Sequence, residues 1–449
     1  MNDTIAAIST SLGVGAISVI RVSGPDSIKN VDKIFTQNLL KKESHTISYG
    51  FIRDKKEKID EVLVSVMTSP KTFTREDVVE ISCHGGVATT KKILSLLLSN
   101  GCRLAEPGEF TKRAFLNGRI DLIEAEAVMD LVSVKSEEAR KLAINNLQGQ
   151  TTKAIRILRD NLLDLIASIE VNIDYPEYTD IEEINNQKVK VLMADINGKL
   201  SNILKNSKDS RLIKEGINIA IVGRPNVGKS SLLNRILDED KAIVTDIAGT
   251  TRDIVEGTIT LDGMLLNFID TAGIRKTENE IEKMGVKKSL QKIDDADLVL
   301  MVLNSNEALT KEDEDILNDI KDKRKLFVLN KNDLEKRIDE NKLNGVIVHT
   351  NTLSKEGIDK LLNKIKDLFD FDNLSSKDFN YLSNIDQVAK LEECLKLLNE
   401  VEEGIKNEMP IDMIEIDIKS IWNSLGEIIG ESYTEELLDK LFKNFCLGK

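Results

Sequence analysis

The 449-residue sequence predicts a multidomain chain with mixed α/β and all-α parts. Three observations predict this fold class. The chain is too long for one hydrophobic core, its first quarter mixes strand and helix patterns, and helical patterns flank a glycine-rich α/β segment. We therefore predict an α+β N-terminal domain, a discontinuous helical domain, and an α/β domain with a doubly wound sheet inserted into the helical domain. The predicted boundaries are 1–117, 118–211, 212–372 and 373–449.

The N-terminal segment combines strand-like and helical patterns. Residues 16–22, 59–67 and 77–82 are apolar or alternating runs typical of strands, and residues 88–98 have helical spacing. From residue 121 onward, apolar residues recur every three or four positions, as in amphipathic helices.

The helical pattern is interrupted at Pro176 and continues over about 187–208. After the inserted segment it returns over 388–401 and 414–429. The C-terminal part is too short to bury a core of its own, so we expect it to pack on the helices that precede the insertion.

Composition limits the functional classes. The net charge of −14 disfavours a protein whose whole surface attracts nucleic acid. Four scattered cysteines and three histidines disfavour a zinc site. The sequence has no long apolar segment and no basic, apolar leader, so we predict a cytoplasmic protein without a membrane partner.

Residues 223–230, Gly-Arg-Pro-Asn-Val-Gly-Lys-Ser, have the pattern of a phosphate-binding loop. A strand pattern precedes them and a helical pattern follows. Glycines let the backbone N–H groups approach a polyphosphate, and the helix N-terminus adds positive charge. We expect Lys229 to contact the β- and γ-phosphates and the Ser230 hydroxyl to bind Mg²⁺.

Downstream motifs indicate guanine as the base. Residues 330–333, Asn-Lys-Asn-Asp, follow a strand pattern, and the Asp333 carboxylate can accept hydrogen bonds from N1–H and the 2-amino group of guanine. Asp270-Thr-Ala-Gly273 and the loop 246–253 are expected at the Mg²⁺ and the γ-phosphate, with Thr251 as a Mg²⁺ ligand. Together the motifs predict a GTP hydrolase with a Ras-like P-loop domain.

The residues alone leave the catalytic groups open. Ile274 stands where a glutamine would orient the attacking water in a Ras-like enzyme. The acidic candidates for that role are Glu278, Glu280 and Glu282. The candidates for stabilising charge in the transition state are Arg252 and Arg275.

The phosphate loop together with Gly249-Thr-Thr-Arg-Asp253 resembles the TrmE–Era–Der group of GTPases. Residues 73–86, 107–119 and 445–449 narrow the resemblance to the MnmE (TrmE) family of tRNA-modification GTPases. They read Phe-Thr-Arg-Glu-Asp-Val-Val-Glu-Ile-Ser-Cys-His-Gly-Gly, Pro-Gly-Glu-Phe-Thr-Lys-Arg-Ala-Phe-Leu-Asn-Gly-Arg and Phe-Cys-Leu-Gly-Lys. These segments lie outside the generic GTPase motifs, and the resemblance covers nearly the whole chain.

The resemblance implies a GTPase that is stimulated by K⁺ and whose nucleotide domains dimerise across the bound nucleotides. The implied K⁺ ligands are Asn226, Thr245, Ile247 and Thr250, and the implied catalytic residue is Glu282. A cation beside the phosphates can take the place of an arginine finger.

The implied GTP-binding residues fall in four segments. They are Asn226, Val227, Gly228, Lys229, Ser230 and Ser231; Thr245, Asp246, Ile247, Ala248, Gly249, Thr250 and Thr251; Asp270, Thr271, Ala272 and Gly273; and Asn330, Lys331 and Asp333.

For the N-terminal domain, the resemblance implies dimerisation and binding of 5-formyl-tetrahydrofolate. The matching folate-binding positions are Arg21, Glu80, Arg119 and Lys449. A carboxylate can accept from the N–H groups of a pterin, and arginine or lysine can pair with the anionic glutamate tail.

The implied reaction modifies tRNA. With an FAD protein resembling MnmG (GidA), in a heterotetramer, the chain would form the aminomethyl or carboxymethylaminomethyl group at C5 of the wobble uridine, U34. Folate would supply the one-carbon unit. The alternatives are a regulatory GTPase of ribosome assembly and a folate-dependent transferase that acts alone.

Two positions depart from the family pattern. Asn351-Thr-Leu353 replaces the Ser-Ala-Lys of the guanine-contacting loop, and this predicts weaker nucleotide binding. Arg75 stands where the family more often has glycine. His84 and Cys446 are interpreted as structural residues.

Overall fold

The computed structural model describes residues 3–174, 186–238, 257–270, 296–354, 356–369, 380–433, 435–443, 445 and 448. The chain divides into two compact units. The first comprises Met1–Ser133, Ala143–Leu204 and Leu382–Lys449, and the second comprises Val134–Leu142 and Lys205–Tyr381. Among the described residues, no helix is both long and apolar enough to cross a membrane.

A six-stranded mixed sheet forms the N-terminal part of the first unit, in the order β3-β4-β5-β2-β1-β6. Its strands are β1 (Ile5–Ile8), β2 (Ile17–Ser23), β3 (Thr46–Asp54), β4 (Glu57–Met67), β5 (Val78–His84) and β6 (Arg103–Leu104). Its helices are α1 (Ser27–Asp32), α2 (Val87–Ser99) and α3 (Glu109–Leu116). Alternate strand residues such as Ile20, Val64 and Ile81 are fully buried against α2 on one face of the sheet.

The helical part of the first unit contains seven described helices. They are α4 (Leu122–Ser133), α5 (Glu137–Leu147), α6 (Gln150–Asp174), α7 (Asn186–Glu215), α11 (Ile385–Lys406), α12 (Ile411–Ile429) and α13 (Glu435–Phe442). α5 and α7 also supply residues to the second unit.

The C-terminal helices share one core with the helices that precede the insertion, which confirms the expected packing. Leu158 and Leu162 of α6 contact the cluster that contains Leu398 and Ile421. Each of these side chains is at most 1% exposed, and burial of each contributes about 1.5–3 kcal/mol.

Helix α7 is longer than the predicted helix over 187–208. It continues to Glu215 and ends where Gly216 adopts a left-handed conformation with φ of 88°. A Cβ at this position would lie 2.8 Å from the side chain of Leu265, so glycine is required for the chain to turn into the next strand.

The second unit contains a doubly wound sheet, as predicted, and its strand order is β12-β11-β10-β7-β9-β8. All neighbouring strands are parallel except β8 and β9. The strands are β7 (Ile217–Val222), β8 (Gly257–Leu261), β9 (Met264–Asp270), β10 (Leu298–Asn304), β11 (Lys325–Asn330) and β12 (Val346–His349). The described helices of this sheet are α8 (Lys229–Leu237), α9 (Lys311–Asp319) and α10 (Ile358–Phe369), with a 3₁₀ turn at Glu340–Lys342. Buried clusters lie on both faces of the sheet.

Candidate functional site

Three of the predicted nucleotide motifs lie at the carboxyl ends of parallel strands. The 223–230 loop follows β7, Asp270 is the last residue of β9, and residues 330–333 begin at the last residue of β11. In doubly wound sheets, ligands bind at this edge, near the point where the strand order changes direction. Here that point is β7, which lies between β9 and β10.

The phosphate loop has the strained backbone that such a loop needs. Gly223 and Gly228 adopt φ of 146° and 100°, and α8 begins at the next residue, Lys229. A Cβ at Gly228 would lie 2.2 Å from Asn330 Nδ2, and one at Gly223 would lie 2.4 Å from Val302 O. Both positions therefore exclude any larger residue.

Lys229 lies across the loop that it follows. Its ammonium group donates hydrogen bonds to the carbonyl oxygens of Gly223 at 2.8 Å and Arg224 at 3.0 Å. A polyphosphate in the loop would present anionic oxygens to this ammonium group. Anionic oxygens are stronger hydrogen-bond acceptors than carbonyl oxygens.

Two polar side chains of the loop face solvent. Asn226 adopts φ of 66°, a left-handed conformation that asparagine tolerates better than most residues, and both Asn226 and Ser230 are exposed. Within the described part of the chain, neither side chain has a hydrogen-bond partner. Their amide and hydroxyl oxygens are chemically suited to bind hard cations.

Asn330 connects the phosphate loop with the loop after β12. The buried side chain donates from Nδ2 to Val227 O at 3.0 Å and accepts at Oδ1 from Thr352 N at 3.4 Å. Lys331 has φ of 61°, and Asp333 is exposed two residues further on, with its carboxylate free to meet a base.

Arg224, which sequence analysis left without a role, pairs with acidic residues of the same unit. Its guanidinium contacts Glu307 and lies 3.5 Å from Asp313 Oδ2. The hydrogen bond that Arg224 donates to the Glu307 carboxylate raises the pKa of Arg224, so the guanidinium stays charged. Two acidic partners favour a structural role for this cation.

Several predicted residues lie outside the described part of the chain. These are Thr245, Asp246, Ile247, Ala248, Gly249, Thr250, Thr251, Arg252, Thr271, Ala272, Gly273, Arg275, Glu278, Glu280, Glu282, Cys446 and Lys449. For Asp270 the structure describes its place at the end of β9.

Two of the predicted folate-binding residues lie over one aromatic ring in the first unit, and a third pairs with one of these two. The Arg21 guanidinium lies 6.0 Å and the Arg119 guanidinium 4.7 Å from the centroid of Phe73. Arg21 also pairs with Glu80 at 2.8 Å, across adjacent positions of β2 and β5. The pattern of residues 73–86 included Phe73, but sequence reasoning gave it no role.

Arg119 and Phe73 line a cavity of about 360 Å³. The other lining residues are Ile120, Glu124, Val128, Leu131 and Leu147. Burial lowers the pKa of Arg119 despite the opposing attraction of Glu124, and no carboxylate in the described chain forms an ion pair with it. The cavity therefore presents an unpaired cation beside an aromatic ring.

Glu124 is the acidic group of this cavity. It forms a reciprocal cap with Asp121 at the start of α4: each backbone N–H donates to the other side chain at 2.9 Å. Burial raises the pKa of both carboxyl groups. The cap is sufficient to explain a structural role for Glu124. The position of the Glu124 side chain also gives the cavity a hydrogen-bond acceptor.

Other predictions concern turns and metals. Arg75, at the family's glycine position, has φ of 57°, so the turn keeps a left-handed residue there. His84 Nδ1 lies 2.7 Å from Asp60 Oδ1, a pairing that favours the structural interpretation of His84. The described residues contain no cluster of three or more histidine, cysteine, aspartate or glutamate side chains that could hold a metal ion.

Comparisons with known proteins identify the family. The family model described as the MnmE helical domain matches residues 122–446, and the model described as the N-terminus of the GTP-binding protein TrmE matches residues 4–119. A tRNA modification GTPase MnmE from Listeria welshimeri is 50% identical over 100% of this chain and 99% of its own length. One from Ligilactobacillus salivarius is 49% identical over 100% of this chain and 98% of its own length.

Among solved structures, a variant of Era from Aquifex aeolicus bound to GDP and aluminium fluoride is 31% identical. The match covers 33% of this chain and 55% of that chain, with a TM-score of 0.27. The family models and the full-length relatives confirm the predicted family and fold class. The chain belongs to the MnmE family.

Proposed function

We propose that this chain hydrolyses GTP in the modification of tRNA. The observation that supports this most strongly is the meeting of the 223–230 loop with the 330–333 loop through Asn330, at the carboxyl edge of a doubly wound sheet. The relatives that match the whole chain carry the name tRNA modification GTPase. We further propose that the segments 1–117, 118–211, 212–372 and 373–449 act as domains, and that the protein works in the cytoplasm, where GTP and tRNA occur.

The chemistry of the phosphate loop fits a Mg²⁺ nucleotide. The Ser230 hydroxyl is exposed at the first turn of α8 and can serve as a Mg²⁺ ligand, with Thr251 as the proposed second protein ligand. Mg²⁺ supplies positive charge against the phosphate oxygens. Lys229 binds the β- and γ-phosphates, and Asp333 selects guanine.

The loop also fits a monovalent cation. The exposed Asn226 amide has no protein partner in the described chain and offers an oxygen ligand next to the phosphates. We propose that it binds K⁺ together with Thr245, Ile247 and Thr250 when two nucleotide domains meet. Glu282 is the proposed residue that orients the attacking water.

The first unit is proposed to bind 5-formyl-tetrahydrofolate through Arg21, Glu80, Arg119 and Lys449. The arrangement of Arg21 and Arg119 around Phe73 supports this, because an aromatic ring and two cations suit an anionic, ring-containing ligand. The carbonyl oxygen of Gly448, next to Lys449 in the chain, lies 3.4 Å from Arg21 Nη1. The adjacent cavity, with Glu124 as acceptor, offers room for the ring.

Folate binding is tested directly by titration calorimetry with 5-formyl-tetrahydrofolate. We expect the wild type to bind, and Arg119→Ala and Phe73→Ala to lose at least about tenfold in affinity, the equivalent of about 1.4 kcal/mol. The control is Arg337→Ala, which removes an exposed arginine of the second unit. Wild-type protein that does not bind the folate would refute this part of the proposal.

A homodimer through the N-terminal sheet is supported by its uncovered face. Ile17, Ile47, Tyr49 and Leu63 are 65%, 66%, 57% and 46% exposed, and Tyr49 pairs with Leu63 in the β3–β4 register. These side chains lie on the face opposite the buried core, the same face as the Arg21–Glu80 pair. Sedimentation should show a dimer for the wild type and a monomer for Tyr49→Glu combined with Leu63→Glu.

The proposed reaction forms an aminomethyl or carboxymethylaminomethyl group at C5 of U34, with a MnmG (GidA)-like FAD protein in a heterotetramer. Nucleoside analysis of bulk tRNA from cells without the gene should show loss of this modification. A plasmid copy should restore it, and a Lys229→Ala copy should not. Intact U34 modification combined with defective ribosome assembly would favour a regulatory GTPase instead.

A further inference from the structure

The loop that follows β12 is held by a cation from the helix of the phosphate loop. Arg235 lies in the last turn of α8, and its Nε donates to Thr352 O at 2.7 Å. Its Nη2 donates to Leu353 O at 3.3 Å. Both acceptors belong to the Asn351-Thr-Leu353 segment, where this chain departs from Ser-Ala-Lys.

The same segment is held on its other side by Asn330. Thr352 N–H donates to Asn330 Oδ1 at 3.4 Å, so the two polar groups of Thr352's backbone are bound by residues of two different elements. A bond of this length is weak, and the N–H can also donate to a ligand. The carbonyl bonds to Arg235 are charge-assisted and therefore stronger.

The side chains of the segment offer little hold on a base, and that of Thr352 is buried. Leu353, at the position of the family's lysine, is 79% exposed. Asn351 is buried and uses its side-chain oxygen locally, accepting from Leu353 N at 3.0 Å. Backbone geometry must therefore supply what the segment contributes to base binding.

We propose that Arg235 is a positioning residue for guanine recognition. It fixes the 352–353 backbone so that the weakly bonded Thr352 N–H can donate to guanine O6, and it thereby offsets the loss of the Ser-Ala-Lys side chains. This inference rests on the proposed placement of guanine between Asp333 and the 351–353 loop. Arg235 itself touches neither base nor phosphate.

The test compares the affinities of GDP and IDP for Arg235→Ala, Arg235→Lys and the wild type by titration calorimetry. Hypoxanthine keeps O6 but lacks the 2-amino group that Asp333 contacts. Arg235→Ala should therefore weaken GDP and IDP by the same factor, about tenfold for the loss of two charge-assisted hydrogen bonds. Arg235→Lys keeps one donor and should fall between the alanine variant and the wild type.

Steady-state kinetics provide a second test, because a purely structural role would not change KM separately from kcat. KM for GTP should rise in Arg235→Ala while kcat at saturating GTP stays the same. The matched control is Arg140→Ala, an exposed arginine of the same unit that pairs with Glu137. Thermal unfolding checks that each variant is folded, and Arg235→Lys carries the test if the alanine variant is not.

Three results would overturn the inference. They are unchanged GDP affinity in a folded Arg235 variant, a loss confined to GDP, or a fall in kcat with constant KM. If ADP displaced labelled GDP from the wild type as effectively as unlabelled GDP does, the guanine site itself would be refuted, and with it the role of Arg235.

Discussion

The Asn330 side-chain amide donates a hydrogen bond to the carbonyl oxygen of Val227 at 3.0 Å, across 103 positions of sequence. Both residues are 1% exposed, so neither group can exchange this bond for water. The strand end that carries the guanine motif is thereby attached to the loop that wraps the phosphates. We therefore expect base binding and phosphate binding to depend on the same buried contact.

Asn330→Ala should uncouple the two loops. It leaves the buried carbonyl of Val227 without a donor, which costs about 1–3 kcal/mol, and nucleotide affinity should fall at least about tenfold. Fluorescence titration with a labelled GDP measures this. Asn332→Ala, which removes an exposed amide two residues away, is the control and should bind like the wild type.

One glycine substitution should abolish nucleotide binding, and another should raise the stability of the protein. Gly228→Ala should abolish nucleotide binding, since φ is 100° and the new Cβ would clash with Asn330. Gly198→Ala lies on an exposed position of α7 with no atom near its Cβ, and it should stabilise the protein by about 0.5–1 kcal/mol. Binding assays and urea unfolding check both. Normal GDP binding by Gly228→Ala would contradict the described loop geometry.

Glu109→Gln should weaken the first unit in a pH-dependent way. Glu109 is buried and pairs with Arg113 at 2.9 Å and with Arg103. Burial raises its pKa, but the hydrogen bonds from these arginines outweigh it, so the pKa lies below 4.5. Removing the buried charge should cost about 3 kcal/mol near neutral pH.

The sign of the pH effect follows from the lowered pKa. The stability that ionised Glu109 contributes is complete above the unfolded pKa of 4.5 and is lost as pH falls through the lower folded value. The difference in urea midpoint between wild type and Glu109→Gln should therefore shrink below about pH 4.5. Glu137→Gln, at an exposed pair with Arg140, should differ little from the wild type at any pH. A difference for Glu109→Gln that grows in acid would contradict this account.

The described thiols should be inert in the folded protein. Cys83, Cys102 and Cys394 are buried and free, and burial raises the pKa of all three, that of Cys394 to about 12. A thiol reagent near pH 8 should modify at most one cysteine per folded chain, and all four after unfolding. Rapid modification of two or more thiols in the folded protein would show that a described cysteine is accessible.

Local sequence patterns predicted the features that depend on neighbouring residues. The phosphate loop, the strands that precede each motif and the helical spacing are all encoded within short windows. Strand β3 was not predicted, because Gly50 interrupts its pattern. Glycine is needed at this position because a Cβ there would lie 2.7 Å from the ring of Phe35.

Contacts between distant segments could not be predicted in this way. The Arg21–Glu80 pair depends on the register of β2 and β5, and the hydrogen bond from Arg235 to Thr352 joins positions 117 apart. Periodicity specifies which face of an element is buried, but it does not specify which elements meet. The place of Phe73 between two arginines also arises from tertiary packing.

The central claim is that GTP hydrolysis at the 223–230 loop depends on a K⁺ ion bound by Asn226. The most direct measurement is the steady-state rate of GTP turnover in potassium and in sodium buffers of equal ionic strength, for the wild type and Asn226→Ala. The account predicts a wild-type rate at least about tenfold higher in potassium, and a ratio near one for the variant. Equal wild-type rates in the two buffers, or full potassium stimulation of Asn226→Ala, would contradict it.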